Sequence, residues 1–192
     1  MKVYVGTYGK YNAGNLSGEW IDLDNYSNMT AFLSSCEELH EDEENPELWF
    51  QDFEYTYEWE RIFYSESYIS PLYWHCKELC QQYDIDPDAL GLYLDYICFN
   101  PNKRTVNDLT SAIKECADRY LGTYSSKERY EEYVAEESGL IDECGFINNL
   151  PESFRCYCSV DWEKMARDDT DTVALSNGKG KVYIFNMSFR EE

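Results

Sequence analysis

The chain has 192 residues, of which 38 are acidic and 16 basic, for a formal net charge of −22 at pH 7. Because 43% of it is hydrophobic and 17% aromatic, there is ample material for a core, and the charge decorates a folded surface rather than a disordered polyanion. Such a balance argues against direct binding to nucleic acid or to an anionic membrane, since phosphate contacts need lysine and arginine. Any partner is expected to be basic. With no apolar run of about 18 residues and no hydrophobic leader core in the opening MKVYVGTYGKYNAGN, a cytoplasmic protein is expected.

In chain order, residues 2–8 (KVYVGTY) read as a strand and 18–23 (GEWIDL) as a second, with Asn12, Gly14 and Asn15 supplying the turn between them. In SNMTAFLSSCEELHEDE, Met29, Phe32, Leu33, Cys36 and Leu39 recur at helical spacing behind a cap at Ser27 or Thr30. Next, Phe53, Tyr55, Tyr57 and Trp59 alternate with Glu54, Thr56, Glu58 and Glu60. That two-residue period predicts a strand with aromatics on one face and carboxylates on the other. The aromatic stripe reads as core or interface packing. A base-stacking platform would need cations beside it.

The middle reads as helical. Ser70-Pro71 and Asp86-Pro87 each place a capping residue before proline at a first helical position, and Thr105 with Asp108 opens a third helix. Further on, Tyr120-Leu121-Gly122-Thr123-Tyr124 echoes Tyr4-Val5-Gly6-Thr7-Tyr8, a hint of a reused strand motif. Ser125 with Glu128 predicts a capping box for SKERYEEYVAEE, and Ser159 a cap for VDWEKMARD. Asn177-Gly178 between residues 172–175 and 181–185 signals a hairpin. The whole predicts an α+β chain in three parts: an acidic mixed domain over 1–62, a helical domain over 63–116 and a mixed domain over 117–192.

Charge is unevenly spread over these parts. From Tyr11 to Glu60 there are fourteen acids and not one lysine or arginine. A surface of one sign repels itself, and ordinary globular surfaces intersperse the charges. The phosphate-cradling, nucleophile-elbow and HExxH motifs are all missing, and the two histidines read as solvated or ion-paired (His40) and packed (His75). The eight cysteines lack the paired CxxC knuckles of structural zinc and read as small buried hydrophobes. The expectation is a protein that is not an enzyme and uses neither metal nor cofactor.

The opening YVGTYGKYNAGNLSGEWIDL, the following ELHEDEENPELWFQDFE, and the pair YLGTYSSKERYEEYVAEE and VDWEKMARD with a closing VYIFN resemble the ArdA antirestriction proteins carried by plasmids, conjugative transposons and phages. The resemblance implies an elongated, three-domain protomer that forms a homodimer and needs no cofactor. It also implies that the dimer imitates bent duplex DNA in the DNA-binding groove of type I restriction-modification enzymes, formed by their specificity and methylation subunits. Charge density agrees: at one charge per ~1.7 Å of duplex axis, 22 charges correspond to roughly 37 Å, or about 11 base pairs.

On this basis the expected phosphate surrogates are Glu37, Glu38, Glu41, Asp42, Glu43, Glu44, Glu47, Asp52 and Glu54, with Glu128, Glu131, Glu132, Glu136, Glu137, Asp142 and Glu143 as a second patch. The aromatic run from Tyr55 to Tyr64 is longer than the family pattern leads one to expect. The alternative reading is an acidic interaction module for another basic DNA-binding protein.

Overall fold

The computed structural model describes residues 1–139, 150–155 and 159–188. It is α+β, and it divides into two compact units, Met1–Ala117 and Asp118–Glu192.

In the first unit, β1 (Lys2–Thr7) is the central strand of an antiparallel sheet between β2 (Glu19–Asp22) and β3 (Leu48–Glu54). Val3 pairs across to Ile21 and Phe53, and Val5 to Phe50, with a bulge between Tyr4 and Val5 where β3 carries an extra residue. Side chains alternate across a strand, so Val3, Val5, Ile21 and Phe50 share the buried face. Helix α2 (Met29–Leu39) lays Phe32 and Cys36 on that face. The Phe32 ring sits 5.8 Å from Phe50 and 6.2 Å from Trp74. Full burial of one such ring contributes roughly 2–3 kcal/mol.

Asn28 caps α2, accepting from the Ala31 amide at 3.0 Å, so the cap lies between the two positions expected from sequence. A short helix, α1 (Tyr8–Asn12), follows β1 where a simple turn was expected, and Thr7 caps it.

The strand through the aromatic run stops at Glu54 instead of reaching Glu60. The chain turns, and a 3-10 helix runs over Glu60–Phe63 before a two-stranded ribbon of β4 (Tyr64–Ser65) and β5 (Tyr68–Ile69). Glu58 and Glu60 therefore point inward and are buried, contrary to the alternating pattern that placed them on a carboxylate face. Glu60 Oε2 accepts from the amides of Thr56 and Tyr57 at 2.7 and 3.1 Å, while Oε1 lies 3.0 Å from the Met1 amino nitrogen and 3.2 Å from the Tyr73 hydroxyl. A buried carboxylate is tolerated because donors surround it. Burial and the nearby charges of Glu60 and Asp24 push the Tyr73 phenol well up.

Helices α3 (Leu72–Gln82), α4 (Pro87–Tyr96) and α5 (Val106–Arg119) complete the first unit, the division falling in the last turn of α5. Asp86 caps α4 ahead of Pro87, and Thr105 and Asp108 bond reciprocally at the start of α5, both as the sequence predicts. Cys76, Cys80 and Cys116 are buried among these helices as free thiols, matching their reading as small hydrophobes, whereas Cys98 is exposed and departs from it. Burial pushes Cys80 up to about 11 and Cys116 up to about 12.

In the second unit β8 (Val182–Asn186) is central between β6 (Tyr120–Tyr124) and β7 (Thr172–Ser176), all antiparallel. Asn177-Gly178 lies in the β7–β8 connection, and Gly178 at φ 77° occupies the left-handed region that favours glycine. Helix α6 (Lys127–Glu137) packs on a later helix, α8 (Trp162–Asp168), and α7 (Glu152–Arg155) is a single turn. The α6 cap is Ser126 rather than Ser125, and the α8 cap is Asp161 rather than Ser159. The second echoed pentapeptide is all strand and the first is strand up to Thr7, with Tyr8 opening α1; β1 is central in its sheet and β6 is at an edge. No described helix is long and apolar enough to cross a membrane.

Candidate partner-binding surface

The acidic segment of the first unit runs from the end of α2 through a loop and along β3. Glu37 and Glu38 lie in the last turn of α2 and are exposed, as are Glu41, Asp42, Glu44, Glu47, Asp52 and Glu54; Glu43 is half-buried. Glu37, Glu43, Glu44, Asn45, Pro46 and Glu47 line a shallow depression. The helix end places its carboxylates where its dipole is negative, so only solvent or a cation offsets them.

The loop is held to β1 and α1. The Tyr8 amide donates to the Glu47 carbonyl at 2.9 Å, and the Thr7 hydroxyl donates to Glu43 Oε1 at 2.5 Å. Lys10 Nζ reaches Asp42 Oδ1 at 2.7 Å, Glu43 Oε1 at 3.8 Å and His40 Nδ1 at 3.0 Å. His40 itself is 1% exposed, so it is a packed residue rather than a solvated one. The Lys10 hydrogen bond holds the Asp42 carboxyl below its ordinary value. Of the nine acids expected here as phosphate surrogates, Asp42 and Glu43 thus carry a cation from their own chain. Sequence reasoning passed over Lys10, although it is the last base before the fifty-residue acidic stretch.

In the second unit, Glu128, Glu131, Glu132, Glu136 and Glu137 all lie on α6. Glu136 and Glu137 are exposed at its end; Glu132 pairs with Arg129, and a hydrogen bond from Ser126 holds Glu128 below its ordinary value. Glu131 is half-buried and faces Asp169, whose Oδ2 lies 3.0 Å from Lys127 Nζ. Burial and the Asp169 charge push Glu131 up. At Asp169 burial acts the same way, but bonds from Thr172 and Lys127 outweigh it and hold that carboxyl low. Asp142 and Glu143 lie outside the described residues.

The raised Glu131 binds its proton more tightly folded than unfolded, so its contribution to stability is present at low pH and is lost as pH rises through and above the ordinary carboxylate range. Glu131→Gln keeps a donor toward Asp169 without the charge. The variant is expected to melt above the parent at pH 7 and level with it near pH 4 by calorimetry. An equal difference at both pH values would remove the carboxyl pair as its cause.

Among the described residues no group of three or more His, Cys, Asp or Glu side chains is arranged to hold a metal ion. What the geometry offers is two acidic surfaces: a pinned loop and strand in one unit, and a helix face in the other. An exposed array of carboxylates is complementary in charge to a basic surface.

A family model described as antirestriction protein (ArdA) matches residues 3–180. The chain belongs to the ArdA antirestriction family. Neither the curated proteins nor the solved structures give a match.

Proposed function

We propose that this protein inhibits type I restriction-modification enzymes by presenting carboxylates where DNA presents phosphates, filling the DNA-binding groove of the specificity and methylation subunits. The observation that carries this reading is the exposed series Glu37, Glu38, Glu41, Glu44, Glu47, Asp52 and Glu54, set along one helix end, one anchored loop and one strand. Phosphate contacts position a DNA-binding protein without reading sequence, so a surrogate needs charge at suitable spacing and no bases. The protein acts as a binder without catalysis or cofactor, in the cytoplasm where restriction enzymes work. The homodimer and the three-domain division at 62 and 116 belong to the same reading.

The test is DNA cleavage by a purified type I enzyme, titrated with the protein at low and high salt. Stoichiometric inhibition that fades with salt and is relieved by excess unmodified duplex is expected. Folded protein that leaves cleavage untouched at low salt overturns the target and leaves another basic DNA-binding protein as the partner.

A further inference from the structure

The face of the first sheet opposite the core is not merely charged. Register puts Tyr4, Trp20, Asp22, Trp49, Asp52 and Glu54 on it: Tyr4 pairs with Trp20 and Asp52, Lys2 with Asp22 and Glu54, and Gly6 with Trp49. These positions alternate with the buried Val3, Val5 and Ile21. The rings form two clusters. Tyr4 meets Trp20 edge-on, with centroids 5.6 Å apart. Tyr8 stacks on Trp49 at 5.4 Å and 14°, and Tyr11 from α1 closes edge-on over Trp49 at 4.4 Å.

Exposure is high for residues of this size: Tyr11 is 47% and Trp20 45% accessible. The Trp49 indole N–H is buried and finds no acceptor among the described residues. The second cluster adjoins the acidic loop directly, since Tyr8 bonds to Glu47 and Lys10 of the same short helix bonds to Asp42.

We infer that this outer sheet face docks arginine side chains of a basic protein partner, whose guanidinium planes stack on the Tyr4–Trp20 and Tyr8–Trp49–Tyr11 rings while neighbouring carboxylates take their N–H groups. The inference deepens the proposed function and rests on it for the partner being a basic protein. Charge complementarity commits the face to such an occupant: Asp22, Asp52 and Glu54 outnumber the one cation that register places among them, Lys2, and Glu47 borders the face. An apolar partner would leave those carboxylates desolvated and unpaired. Nucleic acid would stack on the rings but would be repelled by the acids around them. Arginine satisfies both halves at once, because its planar fork stacks on aromatic faces and binds carboxylates bidentately, whereas lysine is a strongly hydrated point charge.

Two probes of equal charge, octa-arginine and octa-lysine peptides, test this by tryptophan fluorescence and calorimetry. The parent is expected to bind octa-arginine roughly tenfold more tightly, with a preference that persists as salt weakens both. Because bidentate pairing alone favours arginine, the deciding comparison is the double variant Tyr11→Leu/Trp20→Leu. It keeps an apolar side chain at two exposed sites and removes ring faces. Its arginine preference is expected to fall about fivefold, with octa-lysine binding and its salt dependence retained.

Equal affinity of the parent for both peptides, or an unaltered preference in the double variant, overturns the inference. Neither result involves a restriction enzyme. Retained arginine preference without cleavage inhibition would discard the proposed target and keep this surface, and the reverse would discard only the surface.

Discussion

Replacing Glu37, Glu38, Glu41 and Glu44 together by glutamine is expected to raise the concentration needed for half-inhibition of a type I enzyme by roughly 10- to 100-fold at low salt. Each exposed carboxylate facing a partner cation is worth about 0.2–1 kcal/mol, so four of them sum to about 1–4 kcal/mol, a span with 10- to 100-fold near its centre. The gap between variant and parent should narrow as salt rises, because screening removes what the mutations remove. Folding should not suffer, and thinning like charges on one face relieves repulsion.

A different set separates charge from architecture. Asp42→Asn with Glu43→Gln takes away the carboxylates that hold Lys10 and Thr7. That pair should lower the melting temperature as well as inhibition. If the four-residue variant inhibits as well as the parent does, the α2 end and the outer loop do not touch the enzyme.

Gly91→Ala is expected to destabilise the first unit by about 2–3 kcal/mol, although alanine is the better helix former by about 1 kcal/mol. Gly91 lies inside α4, and a Cβ there would come 2.4 Å from the Glu58 carbonyl carbon and 2.4 Å from the Trp59 amide nitrogen. Those are backbone atoms of the turn that presents Glu60, and no rotamer change can move them aside. Glu60 in turn holds the amides of Thr56 and Tyr57 and lies against Tyr73, so displacing the turn disturbs a buried polar cluster. Urea unfolding gives the answer. A midpoint equal to or above that of the parent would show that α4 and the turn can separate without cost.

The parts of the fold that sequence reveals are those set by local chemistry. Asp86-Pro87 and Thr105 with Asp108 announced helix starts because capping is decided within four residues. Where several candidate caps crowd together, local chemistry does not choose among them: Asn28 serves between Ser27 and Thr30, and Ser126 beside Ser125. The alternation through Tyr55, Tyr57 and Trp59 misled for a related reason. Period two is also produced by a turn in which an acid folds back to accept from preceding amides, as Glu60 does from Thr56 and Tyr57.

Among the site residues, the acids were legible by their abundance. Which of them stay available was not, because Lys10 and Asp42 are joined by folding across 32 positions. The aromatic outer face was equally hidden. Its membership depends on cross-strand register and on the bulge at Tyr4/Val5, which shifts the β3 pairing by one residue and brings Trp49 opposite Gly6.

The tethering of the 40–47 loop has a consequence for how its charges act. A flexible polyanion loses conformational entropy each time it settles onto a cationic surface, and its charges can respace to suit almost any cation pattern. Here Thr7, Tyr8 and Lys10 fix Glu43, Glu47 and Asp42 in place before any encounter. The ordering is completed when the chain folds, so the loop is preorganised. On the proposed function it would meet a cationic surface as a template of set spacing, selecting those whose cations match that spacing instead of adapting to all of them.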